Sequence, residues 1–281
     1  MVKKLEFWKM HGLGNDYIVV DNRDNKIRDE ELSVLAKRLC ERRFGVGADG
    51  LLLACKSTVA DAKMRIFNPD GTEAEMCGNG IRCLAKFCFE NKIAKKNPIN
   101  VETLAGVKET SLNIQNGEVK SVRVDMGKPQ FEREKIPMRG KGTFINQPIS
   151  LNGKEVRATS LSLGNPHCII FVDKVDGYPV SDVGPKIERH KLFPNRTNVE
   201  FVQIISKKEI RVRTWERGVG ETLACGTGAC ASVVAANLLG KIGERATVHL
   251  LGGDLKVEYL NGTVFMDGPA EKVFEGYINL E

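Results

Sequence analysis

Apolar positions recur at helical spacing in some segments of the chain and alternate in others. Residues 29–43 carry their apolar side chains along one face, which predicts an amphipathic helix. Residues 63–67 and 210–215 alternate apolar and polar side chains, as half-buried strands do. Residues 81–90 and 229–239 are apolar on most sides, which predicts two buried helices. The pattern therefore favours an α+β fold.

Two segments resemble each other around a cysteine. Cys77 and Cys225 each open a Cys-Gly-x-Gly sequence, each follows an aromatic residue by ten positions, and 148 residues separate them. Further matches fall in the same order along the chain: Gly14-Asn15 with Gly164-Asn165, the helical segment 29–43 with a shorter one at 181–192, and Asn116-Gly117 with Asn261-Gly262. Several matches in one order indicate an internal duplication.

The duplication predicts two pseudo-symmetric halves, each a strand layer wrapped around a buried central helix. The first half covers residues 1–127 and the second covers 128–270, because Gly127 and Pro129 interrupt the pattern. Residues 271–281 have no counterpart that can be aligned in sequence after residue 129. We expect them to return to the first half as a closing strand.

Composition excludes several classes of protein. The chain has 281 residues, of which 42% are hydrophobic and 28% charged, so disorder is not expected. The net charge of +6 is spread along the chain without a basic arm, which argues against nucleic-acid binding. No apolar run approaches the roughly 20 residues of a membrane span, and residues 1–11 lack a signal core. We expect a cytoplasmic protein that does not bind membranes.

The eight cysteines form no Cys-x-x-Cys motif, and only four histidines are present, so no metal site is expected. In the reducing cytoplasm, six of them are expected to be small buried hydrophobic residues: Cys40, Cys55, Cys83, Cys88, Cys168 and Cys230. Arg82 and Lys86, within the first buried helical segment, are expected at the surface or at a helix end.

Cys77 and Cys225 are different because each stands at the start of a predicted helix. Glycines there let a ligand approach the backbone, and free N–H groups with the helix dipole favour an anion. The same features lower a thiol pKa. Two such thiols on opposite walls of one cleft would suit inversion of a stereocentre, in which one removes the Cα proton and the other delivers one. Nucleophilic catalysis by one cysteine, a thiol redox sensor and a ligand-binding protein without turnover remain open alternatives.

Segments 11–17, 67–71, 76–82, 164–167 and 216–229 resemble diaminopimelate epimerases, in that family's order. The resemblance implies an isomerase that uses no cofactor and interconverts LL- and meso-2,6-diaminopimelate on the route to lysine and the cell wall. Its partner would be a small amino-acid substrate bound in the cleft between the halves. A homodimer is left open.

The resemblance also implies roles for individual residues. Cys77 and Cys225 would be the proton-transfer thiols, with His167 and Glu216 assisting their ionisation. Glu216 would also hold a substrate amine, and Arg217 would bind the distal carboxylate. The remaining substrate-binding residues would be Asn15, Asn68, Gly78, Asn79, Asn165, Asn198, Gly226 and Thr227. One position departs from the family, because Gly50 stands where several members carry a substrate-contacting Gln.

Proline racemases and hydroxyproline epimerases also pair two cysteines on a duplicated fold, and they remain the alternative among isomerases. Their substrates are cyclic and carry a single carboxylate. The pair Glu216-Arg217, followed by a glycine-rich stretch, favours an open-chain diamino diacid, since a guanidinium forks onto a carboxylate.

Overall fold

The computed structural model describes residues 3–151 and 153–280, which form two compact units. The first unit comprises the chain up to residue 124 together with the segment from 268 onward, and the second comprises residues 125–267. Residues 1, 2, 152 and 281 lie outside the described part, and with them the outer ends of the predicted first half. The duplicated halves 1–127 with 271–281 and 128–270 stay a prediction.

The first unit is built mainly of strands. Its elements are β1 (Lys3–Gly12), β2 (Asn15–Asp21), α1 (Asp29–Cys40), β3 (Gly50–Cys55), β4 (Ala62–Phe67), β5 (Glu73–Ala74), α2 (Gly78–Glu90), β6 (Ile99–Thr103), β7 (Gly106–Gln115) and β8 (Glu118–Gly127). Strands β2 and β3 are parallel, as are β4 and β6, while the other neighbours pair antiparallel. Both parallel pairs are joined through a helix, as parallel pairing requires a crossover.

The second unit repeats this plan. Its elements are β9 (Phe144–Leu151), β10 (Lys154–Ser162), β11 (Pro166–Phe171), α3 (Val180–Glu188), β12 (Asn198–Ser206), β13 (Glu209–Glu216), β14 (Gly220–Thr222), α4 (Gly226–Leu238), β15 (Arg245–Leu250), β16 (Gly253–Leu260) and β17 (Thr263–Gly268). Here β11 and β12 are parallel, as are β13 and β15. The predicted fold class, α+β in two similar units, is confirmed.

The C-terminal strand β18 (Glu271–Leu280) belongs to the first unit and pairs antiparallel along β1. In the second unit, β9 pairs antiparallel with β10 in the same way. The counterpart in position of the chain's last strand is therefore β9, at the start of the second unit, although no counterpart after residue 129 could be aligned in sequence.

Each unit surrounds one buried helix with its own strands. Helix α2 is buried from Gly78 to Cys88 and contacts β1, β2, β3, β4, β6 and β7. Helix α4 is buried from Gly226 to Ala236 and contacts β10, β11, β12, β13, β15 and β16. Both helices begin three residues before their predicted starts, so that Cys77 and Cys225 are the N-cap residues.

The amphipathic helices are shorter than their patterns predicted. Helix α1 ends at Cys40 rather than at residue 43, because Gly47, with φ of 77°, folds back and donates its N–H to the Leu39 carbonyl. Helix α3 ends at Glu188 rather than at residue 192, where the chain turns into hydrogen-bonded loops at 190–196. In both segments the apolar periodicity of the sequence continues past the last helical hydrogen bond, so the pattern overestimates the length of the helix.

The expectation that Arg82 and Lys86 lie at the surface is wrong. Arg82 is fully buried in α2, where its guanidinium donates to the carbonyl oxygens of Gly78 and Pro269. Lys86 is 7% exposed, and its Nζ donates to the Val119 carbonyl and pairs with Glu90. Buried charges persist where carbonyl oxygens and a counter-ion replace water.

All eight cysteines are free thiols. Of the six expected to be buried hydrophobic residues, five are buried and Cys55 is half-buried. Burial raises the pKa of the Cys83, Cys88 and Cys168 thiols to about 12. These thiols are therefore protonated at neutral pH and serve the core.

Candidate functional site

Cys77 lies between β5 and α2 and caps the start of a buried helix. Its backbone is extended, with φ of −140° and ψ of 124°, and its carbonyl accepts the N–H of Ile81 at 2.9 Å as the first helical bond. Its side chain makes no capping bond to the helix. The half-buried Sγ instead lies 2.9 Å from the hydroxyl of Tyr17 on β2.

Asn15 and Asn79 complete the surroundings of Cys77 in the first unit. The Asn15 side-chain oxygen accepts hydrogen bonds from the Tyr17 hydroxyl and, at 3.2 Å, from Asn79 Nδ2. Asn15 Nδ2 donates to Asp49 Oδ2 at 2.8 Å. Both ends of the Asn15 amide are therefore held, and the structure brings together three of the predicted residues: Cys77, Asn15 and Asn79.

A cluster of ion pairs holds Asp49, the carboxylate to which Asn15 is bound. Asp16 pairs with Lys9 at 2.7 Å and with Arg42 at 2.9 Å, and Arg42 also pairs with Asp49 at 2.6 Å. Burial alone would raise the pKa of Asp16, but the hydrogen bonds from Arg42 and Lys9 lower it to about 2. The cluster keeps Asp16 ionised and fixes Asp49, the acceptor that orients Asn15.

Cys225 holds the matching position in the second unit but uses its sulfur differently. It is buried, and its Sγ accepts the N–H of Gly228 at 3.4 Å and lies 3.5 Å from Thr227 Oγ1. Gly226 is the first residue of α4. The sulfur of Cys225 thus caps its own helix, whereas the sulfur of Cys77 contacts the hydroxyl of Tyr17.

A chain of hydrogen bonds leads from Thr227 into the core of the second unit. Asn165 Nδ2 donates to Thr227 Oγ1 at 3.2 Å, and Asn165 Oδ1 lies 2.9 Å from His167 Nε2. His167 Nδ1 lies 2.8 Å from Glu200 Oε1. His167 and Glu200 are both fully buried, so the imidazole ring is fixed at both nitrogens.

Sequence reasoning predicted a lowered thiol pKa at both helix starts, and for Cys225 this is wrong. Burial raises the pKa of Cys225 well above its ordinary value, and the nearby carboxylates of Glu216 and Glu200 raise it further. The bonds from Thr227 and Gly228 act in the opposite direction and are outweighed. Cys225 is therefore a protonated thiol at neutral pH.

Glu216 and Arg217 lie where β13 leads toward β14. Glu216 Oε1 accepts the hydroxyl of Thr222 at 2.6 Å. The Arg217 side chain is exposed and forms no ion pair with another described residue, while its backbone N–H donates to Asn198 Oδ1 at 2.8 Å. Asn198 is buried and also donates from Nδ2 to the Pro166 carbonyl at 2.9 Å. Its amide therefore fixes the position of Arg217 within the second unit.

Asn68 is separated from the thiol neighbourhood of its unit by its own local bonds. It closes the turn after β4, with Nδ2 donating to Thr72 Oγ1 at 3.0 Å and its backbone N–H donating to the Thr72 carbonyl. These contacts define a turn, and no described contact joins Asn68 to Cys77. Its role toward a substrate stays a prediction.

Gly50, the position at which the sequence departs from the resemblance, lies opposite Tyr17 in the parallel register of β2 and β3. A Cβ added there would lie 3.1 Å from the Phe67 carbonyl oxygen and 3.3 Å from Tyr17 Cδ1. A longer side chain would require one of these neighbours to move. The packing of the Tyr17 ring therefore favours glycine at position 50.

Sequence reasoning missed three residues near the two thiols: Tyr17, Asp49 and Glu200. The internal repeat carried a signal for the first, since Tyr17 follows Gly14-Asn15 as His167 follows Gly164-Asn165. The signal for Glu200 is a carboxylate between the apolar Val199 and Phe201, two residues after Asn198. Across residues 3–151 and 153–280, no group of three or more His, Cys, Asp or Glu side chains could hold a metal ion.

None of the helices formed by the described residues has both the length and the apolar character needed to cross a membrane.

Comparison with known proteins gives one family. The profile of the family described as "Diaminopimelate epimerase" matches residues 7–132 and 159–273. The diaminopimelate epimerase of Moorella thermoacetica is 52% identical over 280 residues, covering 99% of this chain and 100% of the relative. That of Pelotomaculum thermopropionicum is 54% identical over 274 residues, covering 97% and 98%.

Solved structures share the fold at low sequence identity. A hydroxyproline epimerase from Agrobacterium vitis superposes with a TM-score of 0.73 at 16% identity, covering 100% of this chain and 94% of the other. A probable proline racemase from Agrobacterium radiobacter gives a TM-score of 0.72 at 17% identity, covering 99% and 93%. At this identity the likeness concerns the fold alone.

Proposed function

Because the chain belongs to the diaminopimelate epimerase family, we propose that it is an isomerase that interconverts LL- and meso-2,6-diaminopimelate by proton transfer between two cysteine thiols. The observation that carries this proposal is the repeated placement of a free cysteine as the N-cap of a buried, glycine-initiated helix. It occurs at Cys77 in the first unit and at Cys225 in the second.

Inversion at a carbon needs an acid and a base on opposite faces. One of the two thiols takes the Cα proton as a thiolate, while the other delivers a proton to the opposite face as a thiol. The raised pKa of Cys225 supports an initial role as the protonated partner. In the reverse reaction the two residues exchange roles, as microscopic reversibility demands.

The helix starts supply the charge stabilisation. Removing a Cα proton places negative charge on the substrate's α-carboxylate, and the backbone N–H groups and dipole at a helix N-terminus favour negative charge there. The groups at these positions are Gly78, Asn79, Gly226 and Thr227. The buried pair of His167 and Glu200, together with Glu216, sets the electrostatic surroundings of Cys225.

The distal end of the substrate requires its own partners. A molecule with two amino-acid ends must be held by one end while the other reacts, or the wrong centre is inverted. The bond to Asn198 fixes the backbone of Arg217, and the exposed guanidinium can fork onto the distal carboxylate. Glu216 binds the amine, and the amides of Asn15, Asn68, Asn165 and Asn198 contribute further contacts.

The proposal includes a small-molecule amino-acid substrate, no organic cofactor, action in the cytoplasm and supply of lysine and cell-wall precursors. No nucleic-acid or membrane partner is included. A homodimer stays a prediction, which sedimentation equilibrium of the purified chain would test.

The experiment is turnover of diaminopimelate and of proline by the purified chain, without pyridoxal phosphate. We expect inversion of LL-diaminopimelate and none of proline. Cys77→Ser and Cys225→Ser should each abolish inversion, since a hydroxyl is far less acidic than a thiol, while the control Cys55→Ser should retain it. Turnover of proline in place of diaminopimelate would assign the chain to the other isomerase class. Activity in either active-site serine variant would remove the two-thiol mechanism.

A further inference from the structure

The hydroxyl of Tyr17 lies between the side chains of Cys77 and Asn15 in the first unit. The function proposed above gives Tyr17 no role. The ring is buried on β2, 2% exposed, and its oxygen lies 2.9 Å from Cys77 Sγ. The same hydroxyl donates its hydrogen to the side-chain oxygen of Asn15. The Cys77 sulfur therefore contacts the hydrogen-bond network of its unit through Tyr17 at 2.9 Å and, at the longer distance of 3.9 Å, through the side-chain oxygen of Asn15.

A count of hydrogens shows that these bonds depend on the state of Cys77. A phenol has one hydrogen to donate and can also accept. While Tyr17 donates to Asn15, its oxygen can accept the S–H of a protonated Cys77. A thiolate has no hydrogen, so the contact persists only when the Tyr17 hydrogen turns from Asn15 toward the sulfur.

Asn15 can release that hydrogen because it has other partners. Its side-chain oxygen also accepts from Asn79 Nδ2 at 3.2 Å, and its Nδ2 stays bound to Asp49 at 2.8 Å. No buried acceptor is left without a bond when the hydroxyl turns, so the large penalty for an orphaned polar group does not arise.

We propose that Tyr17 is a positioning residue whose hydroxyl switches its hydrogen between Asn15 and the Cys77 sulfur, accepting from the thiol and donating to the thiolate. The proposal deepens the function proposed above by assigning regulation of one of its two thiols to a named neighbour. No covalent bond of Tyr17 forms or breaks, and the proton that leaves Cys77 goes to the substrate or to water.

Tyr17 keeps its own proton throughout. Burial raises its pKa well above the ordinary value, and negative charge at Cys77 raises it further. The phenol therefore stays a donor over the whole range in which a thiol titrates. A charge-assisted bond from a neutral donor to an anion is stronger than the neutral bond it replaces.

The second unit lacks this arrangement. Its counterpart of Tyr17 is His167, opposite Asn198 in β12 as Tyr17 is opposite Gly50 in β3. The imidazole is bound to Glu200 and Asn165, and Cys225 Sγ accepts from the Gly228 N–H instead. The device is therefore particular to Cys77.

The other ionisable groups in the elements around Cys77 stay unchanged when only the Tyr17 hydroxyl is removed. Tyr17 and Cys83 each interact electrostatically with the thiol. The further groups, on β1, β2, the segment from α1 to β3, and α2, are Lys9, Asp16, Arg42, Asp49, Arg82 and Lys86. Removal of one hydroxyl leaves all of these charges in place.

The test is the pH dependence of alkylation of Cys77 in Tyr17→Phe, measured by mass spectrometry with iodoacetamide. The half-buried Cys55 in the same protein serves as the internal reference. We expect the alkylation midpoint of Cys77 to rise by about one pH unit or more, so that its rate at pH 7 falls about tenfold. The Cys55 midpoint should not move. Tyr178→Phe, which removes a hydroxyl from a ring packed on Phe201 in the second unit, should leave both midpoints unchanged.

A second variant moves the effect in the opposite direction. Replacement of Tyr17 by 3-fluorotyrosine makes the hydroxyl a stronger donor, and the Cys77 midpoint should fall below that of the wild type. An unchanged Cys77 midpoint in both variants, or an equal shift at Cys55, would overturn the proposal. The alkylation readout needs no substrate, so it decides the role of Tyr17 whether or not the chain epimerises diaminopimelate.

Discussion

Three of the asparagines predicted to bind substrate have their amides oriented by the protein itself. Asn15 is held by Asp49 and Tyr17, Asn165 by Thr227 and His167, and Asn198 by the carbonyl of Pro166 and the N–H of Arg217. Side chains fixed in this way lose little entropy when a substrate binds. The sequence around these asparagines does not reveal that their amides are held by hydrogen bonds.

Arg217 provides the first prediction. Its guanidinium is exposed and forms no ion pair within the described residues, so Arg217→Ala should leave the fold intact. We expect kcat/KM for diaminopimelate to fall about a hundredfold or more, since the distal carboxylate loses its partner and Cα loses its alignment. Arg217→Lys should recover part of the loss, because an ammonium cannot form the planar fork.

Steady-state kinetics of both variants at matched protein concentration measure this effect. Arg211→Ala on β13 is the matched control, since that guanidinium already pairs with Asp176 on the surface, and it should keep the wild-type kcat/KM. Near-normal epimerisation by Arg217→Ala would move the distal-carboxylate site elsewhere.

At the scale of elements, the two buried helices start alike but pack against different neighbours. The third residue of α2 is Gly80, where an added Cβ would lie 3.3 Å from the Leu52 Cδ2 methyl. The third residue of α4 is Gly228, where it would lie 2.7 Å from Glu200 Oε1. Glu200 is fully buried and bound to His167, so it has no room to withdraw.

This difference gives a paired prediction on stability. Gly228→Ala should destabilise the protein by about 1–3 kcal/mol, since overpacking displaces Glu200. Gly80→Ala should cost less or nothing, because a methyl can shift by tenths of an ångström and alanine favours the helix by roughly 0.5–1 kcal/mol. Urea unfolding of both variants compares the two free energies. A larger loss for Gly80→Ala would contradict the account of the α4 start.

Elements were predictable where the signal was local. The helix-start cysteines, the strands β4 and β13, and the Asn116-Gly117 turn, with positive φ at both residues, follow from short-range patterns. The burial of Arg82 and Lys86 was not predictable, because their carbonyl partners at Pro269 and Val119 lie far along the chain.

At the scale of the molecule, the duplication was visible in sequence but its asymmetry was not. The repeat aligns Tyr17 with His167, yet their partners differ, because Leu52 stands in one unit where Glu200 stands in the other. The Tyr17–Cys77 contact joins residues 60 positions apart, and only the parallel pairing of β2 with β3 and the packing of α2 bring them together.

The buried thiols make the whole molecule sensitive to alkali. The pKa values of Cys83, Cys88 and Cys168 are raised to about 12 in the fold by burial, from an ordinary value of 9.0. Unfolded thiols lose protons above about pH 9 while folded ones keep them, so the unfolded state binds fewer protons and stability falls as pH rises. The stability that these thiols contribute through their raised pKa values is fully present below pH 9 and is lost progressively toward pH 12.

Urea unfolding under reducing conditions between pH 8 and 11 checks this prediction. Each thiol contributes a slope of up to about 1.4 kcal/mol per pH unit. Cys88→Ala should reduce the slope relative to wild type. A free energy of unfolding that stays constant or increases over this range would refute the assignment.

The central claim is that two thiols act on one carbon from opposite faces, and isotope incorporation tests it most directly. LL-diaminopimelate is incubated with the protein in D₂O without pyridoxal phosphate, and product and remaining substrate are analysed at low conversion. The account predicts one deuterium at the inverted Cα of the meso product and none in the remaining LL substrate, since the base returns only the hydrogen it removed. Deuterium appearing equally fast in substrate and product would indicate a single exchanging base and would contradict the account.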